Sequence, residues 1–250
     1  MLTRILLAGI ALTAVSAQVQ ADDAAAIAAY RRGDMATART EWTALLDADG
    51  RAPQGAERAR ILYDLGNVSF REGRTLEAVA WYTASLRLRP RDADTWANLE
   101  EARSRSKLEP AYRGDLSSTL KRVVRSLTGA EAGWLALSGL LLLAAALAFE
   151  AVRGGRYARW TAVLAALTAC VMCIPWLDHS VRDGSQTLMV IQPDGASVRS
   201  EPRASAAVTS ELSAAAVVEH VDELPDWTKV RLEGGLEGWV QKRSVFPLAR

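Results

Sequence analysis

The sequence predicts a multidomain membrane protein in which an all-α repeat domain, a transmembrane helical hairpin and a small all-β barrel follow one another. Three observations carry that prediction. A set of spaced residues recurs forty positions later, two 18-residue stretches carry no charge, and the chain from Thr187 onward changes to short alternating runs. Each marks a different structural period, so each marks a separate unit.

Composition bounds the function. The 250 residues are 50% hydrophobic, but the apolar residues are bunched, which fits several small units better than one large core. The net charge of +1 gives no basic footprint, so nucleic acid is not an expected partner. No Ser/His/Asp set, phosphate-cradling glycine loop or carboxylate pair stands in an identifiable context, and the chain holds only two histidines. A non-enzymatic protein without cofactor or metal is expected.

Residues 1–21 have the form of an export signal: Arg4, an apolar run from Ile5 to Val15, and small residues ending at Ala17 and at Ala21. Cleavage after Ala17 or Ala21 and retention as an anchor both place the next segment outside the cytoplasm.

Residues 22–106 are rich in Ala, Arg and Glu, with apolar positions at helical spacing. Tyr30, Gly33, Ala38 and Trp42 recur as Phe70, Gly73, Ala78 and Tyr82. This predicts helical hairpins: the glycines turn the chain, the alanines let helices approach, and Trp42 and Tyr82 fill the space beside them. The run Leu65-Gly66-Asn67, Phe70, Gly73, Ala78, Tyr82 and Pro90, then Trp96 and Leu99, resembles the tetratricopeptide family, with Ser85 where that pattern usually has Ala. The resemblance implies about five helices and a concave groove lined by the first helix of each repeat. On this chain the groove residues would be Arg60, Tyr63, Asn67 and Arg71, with Arg31 and Arg105 equivalent to Arg71. Arginines in register suit a carboxylate or an acidic partner segment; solvated helix charges are the plainer reading.

Residues 112–128 predict an amphipathic helix with Leu116, Leu120, Val123, Val124 and Leu127 on one face, opposite Lys121, Arg122 and Arg125. Such a helix suits the lipid headgroup region or a cap on the last repeat. The uncharged stretches 132–149 and 160–177 meet the requirements for transmembrane helices, with Trp134 and Trp176 near one end and a basic link carrying Arg153, Arg156 and Arg159 at the other. The export signal sets the expected topology: repeat and C-terminal tail outside, link inside. Cys170 and Cys173 form a Cys-x-x-Cys within the second span, without a metal-ligand pattern around them, and are expected to be packing residues.

In residues 187–250, strand-like runs at Leu188–Ile191, Val217–Val221, Trp227–Leu232 and Gly238–Val240 are punctuated by Pro and Gly. Ala196-Ser197-Val198-Arg199-Ser200-Glu201-Pro202, Leu212, Trp227-x-Lys229-Val230, the Gly234–Val240 run and Val245 resemble a bacterial SH3-like domain. That family often has Gly shortly after the position of Leu212, where this chain has Ala214 to Ala216. The resemblance implies a groove beside Trp227 and Trp239, which either packs a partner protein or binds cell-wall peptide (peptidoglycan).

Signal, repeats, paired spans and SH3-like tail occur in the order found in BatE-type proteins of the bacterial aerotolerance operon, which the chain resembles in architecture. That resemblance implies an inner-membrane scaffold or adaptor with both modules facing the periplasm. Its implied partners are the lipid bilayer and membrane proteins with von Willebrand factor A domains, in an aerotolerance or envelope-stress complex. The competing expectation is a wall-binding or wall-sensing protein that recruits a hydrolase.

Overall fold

The computed structural model describes residues 23–48, 52–112, 114–184 and 186–248; the expected export signal at 1–21 lies outside them. The chain forms two compact units, one made of residues up to 111 together with those from 187 onward, the other of residues 112–186.

Five antiparallel helices open the first unit: α1 (23–31), α2 (Met35–Asp47), α3 (Gly55–Arg71), α4 (Thr75–Leu88) and α5 (Ala93–Arg105). Their turns are built alike. After α1, Gly33 takes φ +83° while its N–H donates to the Tyr30 carbonyl and the Asp34 N–H to that of Ala29. After α3, Gly73 takes φ +77°, with the same bonds from Gly73 to Phe70 and from Arg74 to Ser69. This is a left-handed helix stop that satisfies the last carbonyls, and glycine adopts it without steric cost. A third stop follows α5, 34 residues after Gly73, where Lys107 takes φ +56° and the N–H groups of Lys107 and Leu108 reach the Ser104 and Arg103 carbonyls. The sequence pattern missed it because no glycine marks it.

The helical core forms as the repeated residues predict. Ala38 and Ala78 are fully buried, with Trp42 and Tyr82 beside them at 1% exposure. The Trp42 indole donates to Asp23 at 2.9 Å. A Cβ on Gly66 would run into the Tyr82 ring, so this close crossing of α3 and α4 requires glycine. Ser85 keeps the place of an alanine by donating its hydroxyl to the Ala59 carbonyl at 2.7 Å, since a buried hydroxyl needs such a partner.

The same unit contains a seven-stranded antiparallel sheet: β1 (Thr187–Val190), β2 (Ala196–Arg199), β3 (Val208–Leu212), β4 (Val217–Glu223), β5 (Trp227–Arg231), β6 (Glu237–Gln241) and β7 (Val245–Pro247). The strand order is β3-β2-β6-β5-β4-β1-β7. Its core is aliphatic, formed by Leu188, Val190, Val198, Val218, Val230, Val240 and Val245. The paired glycines 234 and 235 make the β5–β6 turn at φ +99° and +85°. Where the family pattern has glycine, Ala215 adopts φ +59°, and its N–H donates to the Val190 carbonyl at 2.9 Å. The turn therefore forms without the glycine.

Beside its own core, the sheet lends three residues to the core of the helices. Met189, Phe246 and Leu248 are buried among residues of α2 to α5. Arg87 at the end of α4 donates to the Thr187 hydroxyl at 2.6 Å.

In the second unit, α6 (Leu116–Arg125) precedes two long helices, α7 (Gly129–Arg153) and α8 (Gly155–Gly184). Both are long and apolar enough to cross a membrane. At 1.5 Å per residue, the 25 residues of α7 extend about 37 Å, more than a hydrocarbon core of about 30 Å. Leu141 is 62% exposed and Leu164 66%, unlike the core helices of a water-soluble domain. Small buried residues line the contact between the two helices: Ala132, Ala136 and Gly139 on α7, and Ala158, Ala162 and Ala169 on α8. A Cβ on Gly139 would approach the Ala169 Cα to 3.1 Å. Such close approach is how apolar helices associate where water exclusion offers no drive. The helices also run through the charged residues that were read as a link from Glu150 to Arg159, so the reversal is confined to Gly154 and Gly155, both with positive φ.

Candidate functional site

The predicted groove residues lie along α1, α3 and α5, and helical spacing brings their side chains to one face. A small pocket of about 150 Å³ opens between these helices, lined by Tyr30, Asn67, Phe70, Arg71, Tyr82 and Asn98. The floor is a closed hydrogen-bond set. Asn67 Oδ1 accepts from the Tyr82 hydroxyl at 2.8 Å and from Asn98 Nδ2 at 3.0 Å. Asn98 Nδ2 also reaches the Tyr63 hydroxyl at 3.1 Å. Burial raises the pKa of Tyr82, keeping it a neutral donor.

The rim is cationic and aromatic. Arg71 of α3 lies over the Tyr30 ring of α1 at 4.2 Å, and Arg105 of α5 lies over the Phe70 ring of α3 at 4.4 Å. Each guanidinium thus stacks on the aromatic of the preceding first helix, a contact that fixes the cation while leaving its edge available for hydrogen bonds. Arg105 also pairs with Glu101 at 2.8 Å. Arg31 is exposed at the end of α1.

Arg60 departs from its expected role. Its guanidinium is held by Asp23 at 2.6 Å and by Asp64 at 3.2 Å, tying α3 to α1. Its charge is satisfied within the fold, whereas the three arginines expected in register, Arg31, Arg71 and Arg105, stand at the ends of α1, α3 and α5. Burial pushes the Asp64 carboxyl up to about 6 against the pull of Arg60, with the Asp23 charge adding to the rise. A second cluster went unread in the sequence: Arg39 of α2 bridges Glu72 and Glu77 of the next hairpin, each at 2.6 Å, and reaches the Ser69 hydroxyl at 3.1 Å. Opposite charges 33 and 38 residues apart give no periodic signal by which to find it.

On the sheet, the register pairs Trp227 with Gln241 and Lys229 with Trp239. Thr228, Val230 and Val240 point into the core, so alternation sends Trp227 and Trp239 to the other face as diagonal neighbours. Both are half-buried. The two tryptophans do not share a cleft. An open cleft of about 530 Å³ is lined by Trp227, Pro225, Asp226, Gln241, Lys242 and Arg243, and Trp239 lies outside it. Lys242 also contacts Glu223, whose pKa falls chiefly through that hydrogen bond.

Residues 194–245 match the bacterial SH3 domain family. The match takes in β2 to β6 and ends where β7 begins, so the SH3 domain of this chain is completed by β1 and β7 from outside the matched segment. Those two strands carry Met189 and Phe246, the residues that the SH3 domain buries in the helical core. No curated protein matches the chain.

Among the described residues no group of three or more His, Cys, Asp or Glu could hold a metal ion. Cys170 is exposed on α8, and Cys173 is half-buried.

Proposed function

We propose that this protein is a non-enzymatic membrane scaffold that uses its helical groove to hold a partner protein, with the SH3 domain docked on the helices as a fixed second module. The carrying observation is the groove between α1, α3 and α5, where Arg71 and Arg105 are stacked in place on Tyr30 and Phe70 above an asparagine and tyrosine floor. Stacked guanidinium groups and amides suit an acidic or carboxylate-bearing segment. The 34-residue interval between the stops at Gly73 and Lys107 supports reading the helices as a tetratricopeptide array. Membrane insertion rests on α7 and α8. A bacterial SH3 domain is a protein-binding or wall-binding module, typically extracytoplasmic, which favours an inner-membrane protein with both modules on the periplasmic side. In that setting the partners are membrane proteins, those with von Willebrand factor A domains first among them, within an aerotolerance or envelope-stress complex.

The test is co-purification from native membranes in mild detergent. Arg71→Glu with Arg105→Glu should lose the partner while the protein stays folded by circular dichroism. Undiminished capture by that variant would remove the groove from the proposal.

The cleft beside Trp227 favours a second reading, in which Lys242 and Arg243 bind carboxylates of wall peptide and the scaffold recruits a hydrolase. Binding of the intact protein to isolated peptidoglycan, lost in Trp227→Ala, would support it; absence of binding would exclude it.

A further inference from the structure

We propose that α6 is a lipid-surface helix, lying in the headgroup layer of an anionic bilayer with its leucine face in the acyl boundary. The inference rests on the reading that α7 and α8 cross a membrane.

The helix is short but has two distinct faces. Leu116, Leu120 and Val123 recur at intervals of four and three and are 86%, 62% and 58% exposed. No residue of α6 is buried. Lys121, Arg122 and Arg125 occupy the opposite face, with Arg122 stacked toward Tyr112 at 5.4 Å. Three apolar side chains in one exposed row form a patch that gains by leaving water. Something of matching shape and charge must cover them.

The second unit supplies the position of that cover. α6 groups with α7 and α8 in residues 112–186. The link between α6 and α7 is fixed by a capping box, in which Thr128 and Glu131 exchange side-chain and backbone hydrogen bonds, and by His179 of α8 against the Leu127 carbonyl at 2.8 Å. This end of the hairpin also carries Trp134, 71% exposed, and Trp176, 47% exposed. The two are at one level, since a Cβ on Gly133 would meet Trp176 Cδ1 at 3.9 Å. Exposed tryptophans at one end of a spanning pair mark the boundary between hydrocarbon and headgroups. α6 ends at Arg125, four residues before α7 begins and nine before Trp134, close enough to that boundary for its leucines to reach acyl chains and its cations to reach phosphates. Anionic phospholipid is therefore the occupant that satisfies both faces at once.

The test is nitroxide depth measurement on the full chain in vesicles of phosphatidylcholine and phosphatidylglycerol, in a Cys170→Ala, Cys173→Ala background. Labels are placed one at a time through Leu120→Cys, Lys121→Cys and Leu141→Cys. The expected result is several-fold higher access to oxygen than to a water-soluble nickel complex at 120, and the reverse at 121. Adding Lys121→Glu and Arg125→Glu should move the 120 label into water. A 120 label in water from the start, one shielded from both reagents as in a protein contact, or one unmoved by the charge reversal would overturn the proposal. The Leu141→Cys label separates the two readings: if it lacks oxygen access, the hairpin does not cross the bilayer and both fall together.

Discussion

The Phe246 ring meets the Trp81 ring nearly edge-on, with centroids 4.5 Å apart and planes at 71°. Trp81 belongs to the second helix of the central hairpin and Phe246 to the last strand of the sheet, so one ring pair joins modules that are more than 150 residues apart in the chain. Edge-on aromatic pairs contribute about 0.5–1.5 kcal/mol beyond the area they bury.

Phe246→Ala should therefore destabilise the whole first unit by about 3–5 kcal/mol, the usual cost of emptying a buried phenylalanine site. A denaturation double-mutant cycle with Trp81→Ala should give a coupling of about 1 kcal/mol. Independent melting of helices and sheet, with no coupling, would show that the two modules only touch.

Asp64 makes the first unit more stable in mild acid than at neutral pH, and the sign follows from its raised pKa. The carboxyl titrates near its ordinary 3.8 in the unfolded chain and at about 6 in the folded protein, so the folded state holds this proton more tightly. Its contribution to stability is then most favourable below about 4 and is lost as pH rises through 6. Asp64→Asn should remove that pH dependence. Unfolding curves of both proteins between pH 4 and 7 should converge at the acid end, and parallel curves would refute the assignment.

Two turns carry side chains where the backbone favours glycine, Lys107 at φ +56° and Ala215 at φ +59°. Left-handed backbone costs a side-chain-bearing residue about 1–2 kcal/mol, partly offset by the greater unfolded-state freedom of glycine. Lys107→Gly and Ala215→Gly should each stabilise by about 0.5–1 kcal/mol in thermal or urea unfolding. A loss of stability in either variant would mean that its side chain does more than occupy a turn.

Gly66 holds the crossing of α3 and α4 beneath the groove, because a methyl there meets the Tyr82 ring. Gly66→Ala should cost about 1–3 kcal/mol through overpacking and break the Tyr82 to Asn67 bond in the pocket floor. Reduced partner capture together with lowered stability is the expected result. Wild-type values for both would show that the crossing can open without consequence.

The parts of the fold with a period or a special residue could be read from the sequence. Gly33 and Gly73 announced their turns, Gly234 and Gly235 announced the β5–β6 turn, and apolar length announced α7 and α8. Periodicity also put Tyr63, Asn67 and Arg71 on the groove side. It could not tell which arginine has a private carboxylate: Asp23 reaches Arg60 from 37 residues away, and only the packing of α1 on α3 brings them together. The charged residues 150–159 leave room only for a tight hairpin, and the reversal is tighter still because backbone hydrogen bonds continue past the last apolar residue and carry the helices to Arg153 and Gly155. The docking of the SH3 domain was hidden for another reason. Met189 and Phe246 fit an ordinary strand pattern, and nothing in alternation says that their cover comes from the helices rather than from the sheet.

The turn at Gly154 and Gly155 leaves almost no chain beyond the far ends of α7 and α8. Since Trp81 and Phe246 bring residues before and after the hairpin back to one body, the hairpin interrupts the first unit in sequence without dividing it in space. The hairpin in turn is an insertion with an apolar outer surface of its own, where Leu140, Leu141, Leu164 and Leu167 are exposed.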